Sequence, residues 1–207
     1  MKRISLFVLF ICTIFFCLSA QTGKENERIK QNYIRSIIGM DEEKQPYLQL
    51  LSKIPPEKEV SDQNVIELQQ LYPIRQEEIH RLISTIRGDG SWPDINYADT
   101  KRSGWEPKQH AERILKLTKY YAREQENVSA QEISAVVSII HQAMKYWFVQ
   151  KPVCKNWWYN QIGIPRTLGP AFLLFKTEMT EKEKQEAIRV MEQSQFGMTG
   201  QNKVWLA

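Results

Sequence analysis

"SAQEISAVVSIIHQAMKYWFVQ", Ser129 to Gln150, is the stretch that decides the fold. From Ile133 to Phe148 its apolar residues recur every three or four positions, the spacing of one face of an α-helix. Ser129 stands just ahead, with Glu132 three residues on, a capping-box pattern for a helix start. Trp147 falls within the apolar stripe and is assigned to the core.

Working outward, the same spacing recurs in most of the chain. Ile29, Tyr33, Ile37 and Ile38 form one stripe, and Val65, Leu68, Leu71 and Tyr72 another. Ile79, Leu82, Ile83 and Ile86 form a third, ending before Gly88, a residue type suited to a helix stop. Pro107 precedes Ala111, Ile114, Leu115 and Leu117, the place where proline is tolerated at a helix start. Arg166 to Phe175 reads as a helix that Gly169-Pro170 should break or kink. Thr180, with Glu183 three residues on, opens a last, charged helix through Met191. No stretch alternates as a strand would. The expected fold class is all-α, built from antiparallel helix pairs. Two long connections interrupt it: the opening stretch, and Arg87 to Pro107, rich in aromatics. Long ordered loops on a helical scaffold are where function is expected.

The N-terminus has a different character. Met1-Lys2-Arg3 is followed by an apolar run from Ile4 to Leu18 and then Ser19-Ala20, the pattern of a secretory signal. The run is short for a membrane anchor, which needs about 20 apolar residues. A lipoprotein site at Cys17 is disfavoured by the bulky Phe16 before it. Residues 1–20 are therefore expected to be a signal peptide and 21–207 the mature part, secreted or periplasmic. Of three cysteines only Cys154 would then remain, which excludes an internal disulfide. The formal charge would fall from +4 to +2, too little to argue for a nucleic-acid partner. No spacing of cysteines or histidines suits a metal, and neither metal nor cofactor is expected. The apolar ending "TGQNKVWLA" is expected to mark an N-terminal portion of a longer protein.

"CKNWWYNQIGIPRTLG", Cys154 to Gly169, raises the question of function. Trp157 and Trp158 are adjacent, and neighbours on a helix or strand cannot both face one core. One ring is expected to face a groove. A sugar suits such a ring: its C–H face packs on the indole, and its hydroxyls take amides such as Asn156, Asn160 and Gln161.

"NWWYNQIGIPRTLG", "DGSWPDINY" (Asp89 to Tyr97) and "MTGQNKVW" (Met198 to Trp205) together resemble, in order, segments of polysaccharide lyase family 8, and "WWYNQIG" looks closest to its chondroitin AC lyases. The resemblance implies part of an incomplete (α/α) toroid of antiparallel helical hairpins, with later toroid helices and β-sandwich domains absent from this chain. It implies β-elimination on an acidic polysaccharide, a glycosaminoglycan such as chondroitin or hyaluronan, by a carbon–oxygen lyase acting as a monomer. It places uronate-carboxylate binding on Asn202, as the catalytic residue of this part. It places substrate binding on Asn156, Trp157, Trp158, Arg166 and Gln201. The family's catalytic histidine and tyrosine have no counterpart among His80, His110, His141 or the tyrosines, so activity of this chain alone is open. His80 and His141 are expected to be structural; His110, after the aromatic loop, is a weak site candidate.

Two other readings stand beside this one. A carbohydrate-binding module or inactive pseudoenzyme would use the same rings without chemistry. A glycoside hydrolase on a helical barrel would need two carboxyls across the bond, for which Asp94, Asp99 and Glu106 could be proposed. Solvated or capping carboxylates are the plainer reading of those three. "NVS" at Asn127 matches a glycosylation acceptor and also suits a loop before the Ser129 cap.

Overall fold

The computed structural model describes residues 23–38 and 76–194. Residues 1–20, expected to be a signal, the Val65–Tyr72 stripe, Gln201, Asn202 and Trp205 lie outside the described residues. Every regular element among the described residues is helical. Helix α1 covers 23–38, and α2 Gln76–Thr85. Helix α3 is Lys108–Glu124 and α4 is Ala130–Gln150. A π-helical turn, Tyr159–Gly163, leads into α5, Ile164–Leu174, and α6 is Glu181–Met191.

Cross-helix contacts give the topology. Tyr120 Oη donates to Glu132 near the α3–α4 turn, and His110 Nε2 bonds Ala143 O at 2.9 Å further along. Partners that approach as one chain advances and the other retreats define an antiparallel hairpin. Trp105 meets Tyr159 and Tyr121 meets Phe175, so α3 and α5 run parallel. Phe148 on Phe172 and His141 on Phe175 set α4 antiparallel to α5. Helix α6 returns along α5, with Met191 against Gly169. Two hairpins, α3–α4 and α5–α6, thus stand side by side, as the expected all-α fold requires. Their common core holds Ile114, Leu117, Ile140, Met144, Leu168 and Phe175, all essentially without exposure.

The helix starts are decided locally. Ser129 Oγ accepts from Glu132 N at 3.2 Å, so the expected cap is present. The expected reciprocal half is not: the Glu132 carboxylate bonds Tyr120 and faces His80 instead. A phenol from the facing helix outcompetes the local N–H. At Thr180 the capping box is complete, with Glu183 Oε2 accepting from Thr180 N at 2.8 Å. Gly169-Pro170 does not break the fifth helix, which continues through Leu174 with Pro170 inside. The disturbance lies earlier. Pro165 has no N–H for a carbonyl four residues back, and the preceding turn widens to a π turn closed by Ile164 N on Tyr159 O.

The aromatic connection Arg87 to Pro107 is folded inward. Trp92 and Trp105 are 0% and 2% exposed, so both rings serve the core, not a groove. Gly90 has φ 92, and a Cβ there would sit 2.2 Å from Gln142 O on α4. Gly90→Ala therefore combines a disfavoured backbone with a backbone clash. We expect a loss of about 2–4 kcal/mol in chemical denaturation; a loss under about 0.5 kcal/mol would mean that loop and helix are not in this contact.

Candidate functional site

The loop's shape is held by a buried hydrogen-bond chain. His110, 0% exposed, donates from Nε2 to Ala143 O, which leaves Nδ1 as acceptor for Tyr97 Oη at 2.8 Å. Tyr97 Oη in turn accepts from Trp92 N at 3.0 Å, and Trp92 Nε1 donates to Leu82 O at 3.0 Å. Burial, with Arg113 adding to it, pushes the imidazole down to about 4 despite the Ala143 bond, so it is neutral at pH 7. Burial likewise pushes Tyr97 up to about 12. His110 is thus a structural link between loop and scaffold, which corrects its candidacy as a site residue. His80 is exposed, 3.5 Å from Glu132. His141 is half-buried, with Nδ1 2.7 Å from Glu183.

The proposed hydrolase carboxylates are all engaged in loop structure. Asp94 makes a bidentate pair with Arg113 at 2.7 and 2.6 Å. Asp99 accepts from Lys101 N and Glu106 N, both at 2.9 Å. Glu106 accepts from Asn96 N and pairs with Lys101 Nζ at 3.3 Å. Hydrogen bonds from Arg113 lower Asp94, and those from the Glu106 and Lys101 N–H groups lower Asp99. A general acid needs the opposite shift.

A second clasp joins this loop to the tryptophan pair. Asn156 Oδ1 accepts from Trp158 N at 3.1 Å, starting the helical turn, while its Nδ2 donates to Arg102 O at 3.1 Å. Cys154 Sγ donates to Lys101 O at 3.4 Å and accepts from Asn156 N at 3.4 Å. Asn160 bonds both backbone groups of Cys154, at 2.9 and 2.8 Å. Two of the three amides beside the tryptophans therefore build the turn that presents the rings.

The rings divide as their adjacency requires. Trp158 is half-buried and lies back across Gly163, where a Cβ would sit 2.8 Å from its ring. Trp157 points outward, 47% exposed. On the two clasped segments Arg102, Ser103 and Gly104, and Val153 and Lys155, are also exposed. Arg166 is exposed on α5. Among the described residues no group of three His, Cys, Asp or Glu could hold a metal, and no helix is long and apolar enough to cross a membrane.

An all-helical scaffold that clasps two loops together and leaves an indole in solvent offers a flat apolar ring to a ligand. Residues 22–203 match the model of the polysaccharide lyase family 8 N-terminal alpha-helical domain, and the chain belongs to that family. It is similar to chondroitinase-AC of Pedobacter heparinus, 27% identical over 129 residues, which are 60% of this chain and 18% of that protein. It is also similar to a solved chondroitinase AC lyase, from a study of enzyme–oligosaccharide complexes that revealed its active site. That likeness has a TM-score of 0.55 at 26% identity and covers 65% of this chain and 20% of the other. The chain thus spans about a fifth of the length of these relatives.

Proposed function

We propose that this chain is the N-terminal, substrate-binding part of a lyase that cleaves a uronic-acid-containing glycosaminoglycan, chondroitin or a close relative, by β-elimination. The observation that carries the reading is Trp157, an indole held in solvent at a clasped rim in a chain of this family. A sugar ring laid on it would pack its C–H face against the indole. Asn156 fixes the turn that carries Trp157, and Trp158 packs back against Gly163 and Tyr159. Arg166 and Gln201 complete the proposed contacts. The difficult step is removing the C5 proton beside a carboxylate, because the carbanion adds charge to an existing anion. A neutral donor, Asn202, would disperse that charge. The three histidines do not supply a base at this rim: His110 is sealed in the core, and His80 and His141 face acidic partners on α4 and α6. In this reading the base and acid come from elsewhere in the lyase, and residues 1–20 are a signal for export.

The test is titration of Trp157→Ala with chondroitin oligosaccharides. One stacked ring contributes roughly 1–2 kcal/mol, so affinity should fall about tenfold or more. A folded variant that binds as tightly as the parent would remove the basis of this reading.

A further inference from the structure

We infer that Asn160 is a positioning residue for Trp157: its carboxamide closes the 154–160 segment into a fixed turn and sets the exposed indole in place before any ligand arrives. The inference deepens the glycan reading of Trp157 and rests on it for what the ring binds. Asn160 Oδ1 accepts from Cys154 N at 2.9 Å, and its Nδ2 donates to Cys154 O at 2.8 Å. Both ends of one amide thus grip the backbone of one residue, six positions back. Trp157 stands midway between the two in sequence and is 47% exposed.

Both ends of the closed segment are anchored. Cys154 is buried, and its thiol reaches Lys101 O at 3.4 Å. At the other end Trp158 lies across Gly163, and Tyr159 packs on Trp158 and on Trp105, with ring centroids 5.5 and 5.7 Å apart. Asn160 itself belongs to the π turn Tyr159–Gly163. A turn one residue wider than an α turn rotates what precedes it by about 100° around the helix axis. The direction of the Asn160 amide is therefore tied to that turn, which gives the π turn a use at the site. The other role open to Asn160, a hydrogen bond to a sugar hydroxyl, has to compete with two backbone partners already in place. Releasing them strands the peptide groups of a buried residue, a cost that one new bond does not offset. A ring on a turn fixed beforehand, in contrast, spares the ligand the entropy of ordering it.

The experiment has two arms, both on the intact chain. In the first, the chain is labelled with 5-fluorotryptophan and its fluorine spectrum recorded without ligand; the Trp157 signal is the one missing from Trp157→Ala. In Asn160→Ala that signal should move or split, while the signals of Trp92 and Trp147 in the core stay put. Asn160→Asp, which keeps the acceptor for Cys154 N and loses the donor to Cys154 O, should move it as well, and it carries this arm if the alanine variant does not fold. In the second arm, chondroitin oligosaccharides are titrated into the parent, Asn160→Ala, Trp157→Ala and the double variant. Asn160→Ala should weaken binding about three- to tenfold in the parent and under about twofold when Trp157 is already absent. A Trp157 signal that responds in neither variant would overturn the inference. So would unchanged affinity in Asn160→Ala, or an equal loss with and without Trp157, which would make Asn160 a sugar ligand. If Trp157→Ala alone binds as tightly as the parent, the glycan reading fails, and the fluorine arm still decides whether Asn160 positions the ring.

Discussion

Acidifying the protein from pH 7 to pH 4 is expected to cost about 3 kcal/mol of folding stability through His110 alone. The imidazole is 0% exposed, and its folded-state value is pushed down to about 4 from the ordinary 6.5. Between those values the unfolded chain binds a proton that the folded chain refuses, so stability falls as pH falls. The loss begins near pH 6.5 and levels off below about pH 4. Protonation also removes the acceptor at Nδ1 that Tyr97 uses, which loosens the loop carrying Trp92 and the 101–104 turn. His110→Gln keeps a donor for Ala143 O but cannot take the proton. Its stability, measured by urea denaturation across the same range, should fall by about 3 kcal/mol less than the parent's. Parallel pH profiles for the two proteins would show that His110 is not the buried neutral link described.

Replacing Asn202 by alanine in the lyase proposed above is expected to lower kcat by about 10²–10³-fold, roughly 3–4 kcal/mol, by analogy with a lost oxyanion donor. The proposed bond strengthens as charge develops on the substrate carboxylate, so its loss falls on the transition state. KM should change much less, because the ground-state carboxylate can find water instead. Asn202→Asp should be at least as damaging, since it sets a second negative charge beside the first. A variant that loses only KM would make Asn202 a binding residue, and one that loses neither would place the carboxylate elsewhere.

The helices were legible in sequence because period and punctuation agreed. Ser129, Thr180 and Pro107 mark starts that the fold uses, and Trp147 lies in the core where its stripe puts it. The aromatic loop was harder. Nothing in the spacing of Trp92, Trp105 and Tyr97 says which way a non-periodic segment turns its rings; tertiary hydrogen bonds to Leu82, Asp99 and His110 decide it. The amides show the same limit. Asn156 and Asn160 read as sugar donors, and the fold spends their side chains on Arg102, Trp158 and Cys154. Adjacency was the sounder signal: two neighbouring indoles could not share one core, and Trp157 is the one left in solvent.

The central claim is that this chain holds the sugar-binding side of a lyase site without its proton-transfer groups. It is tested most directly by adding chondroitin oligosaccharides to the purified chain and recording binding heat and the absorbance of unsaturated uronate on the same sample. The account expects saturable heat with a flat absorbance trace. A steady rise in absorbance, or no binding by folded protein, would contradict it.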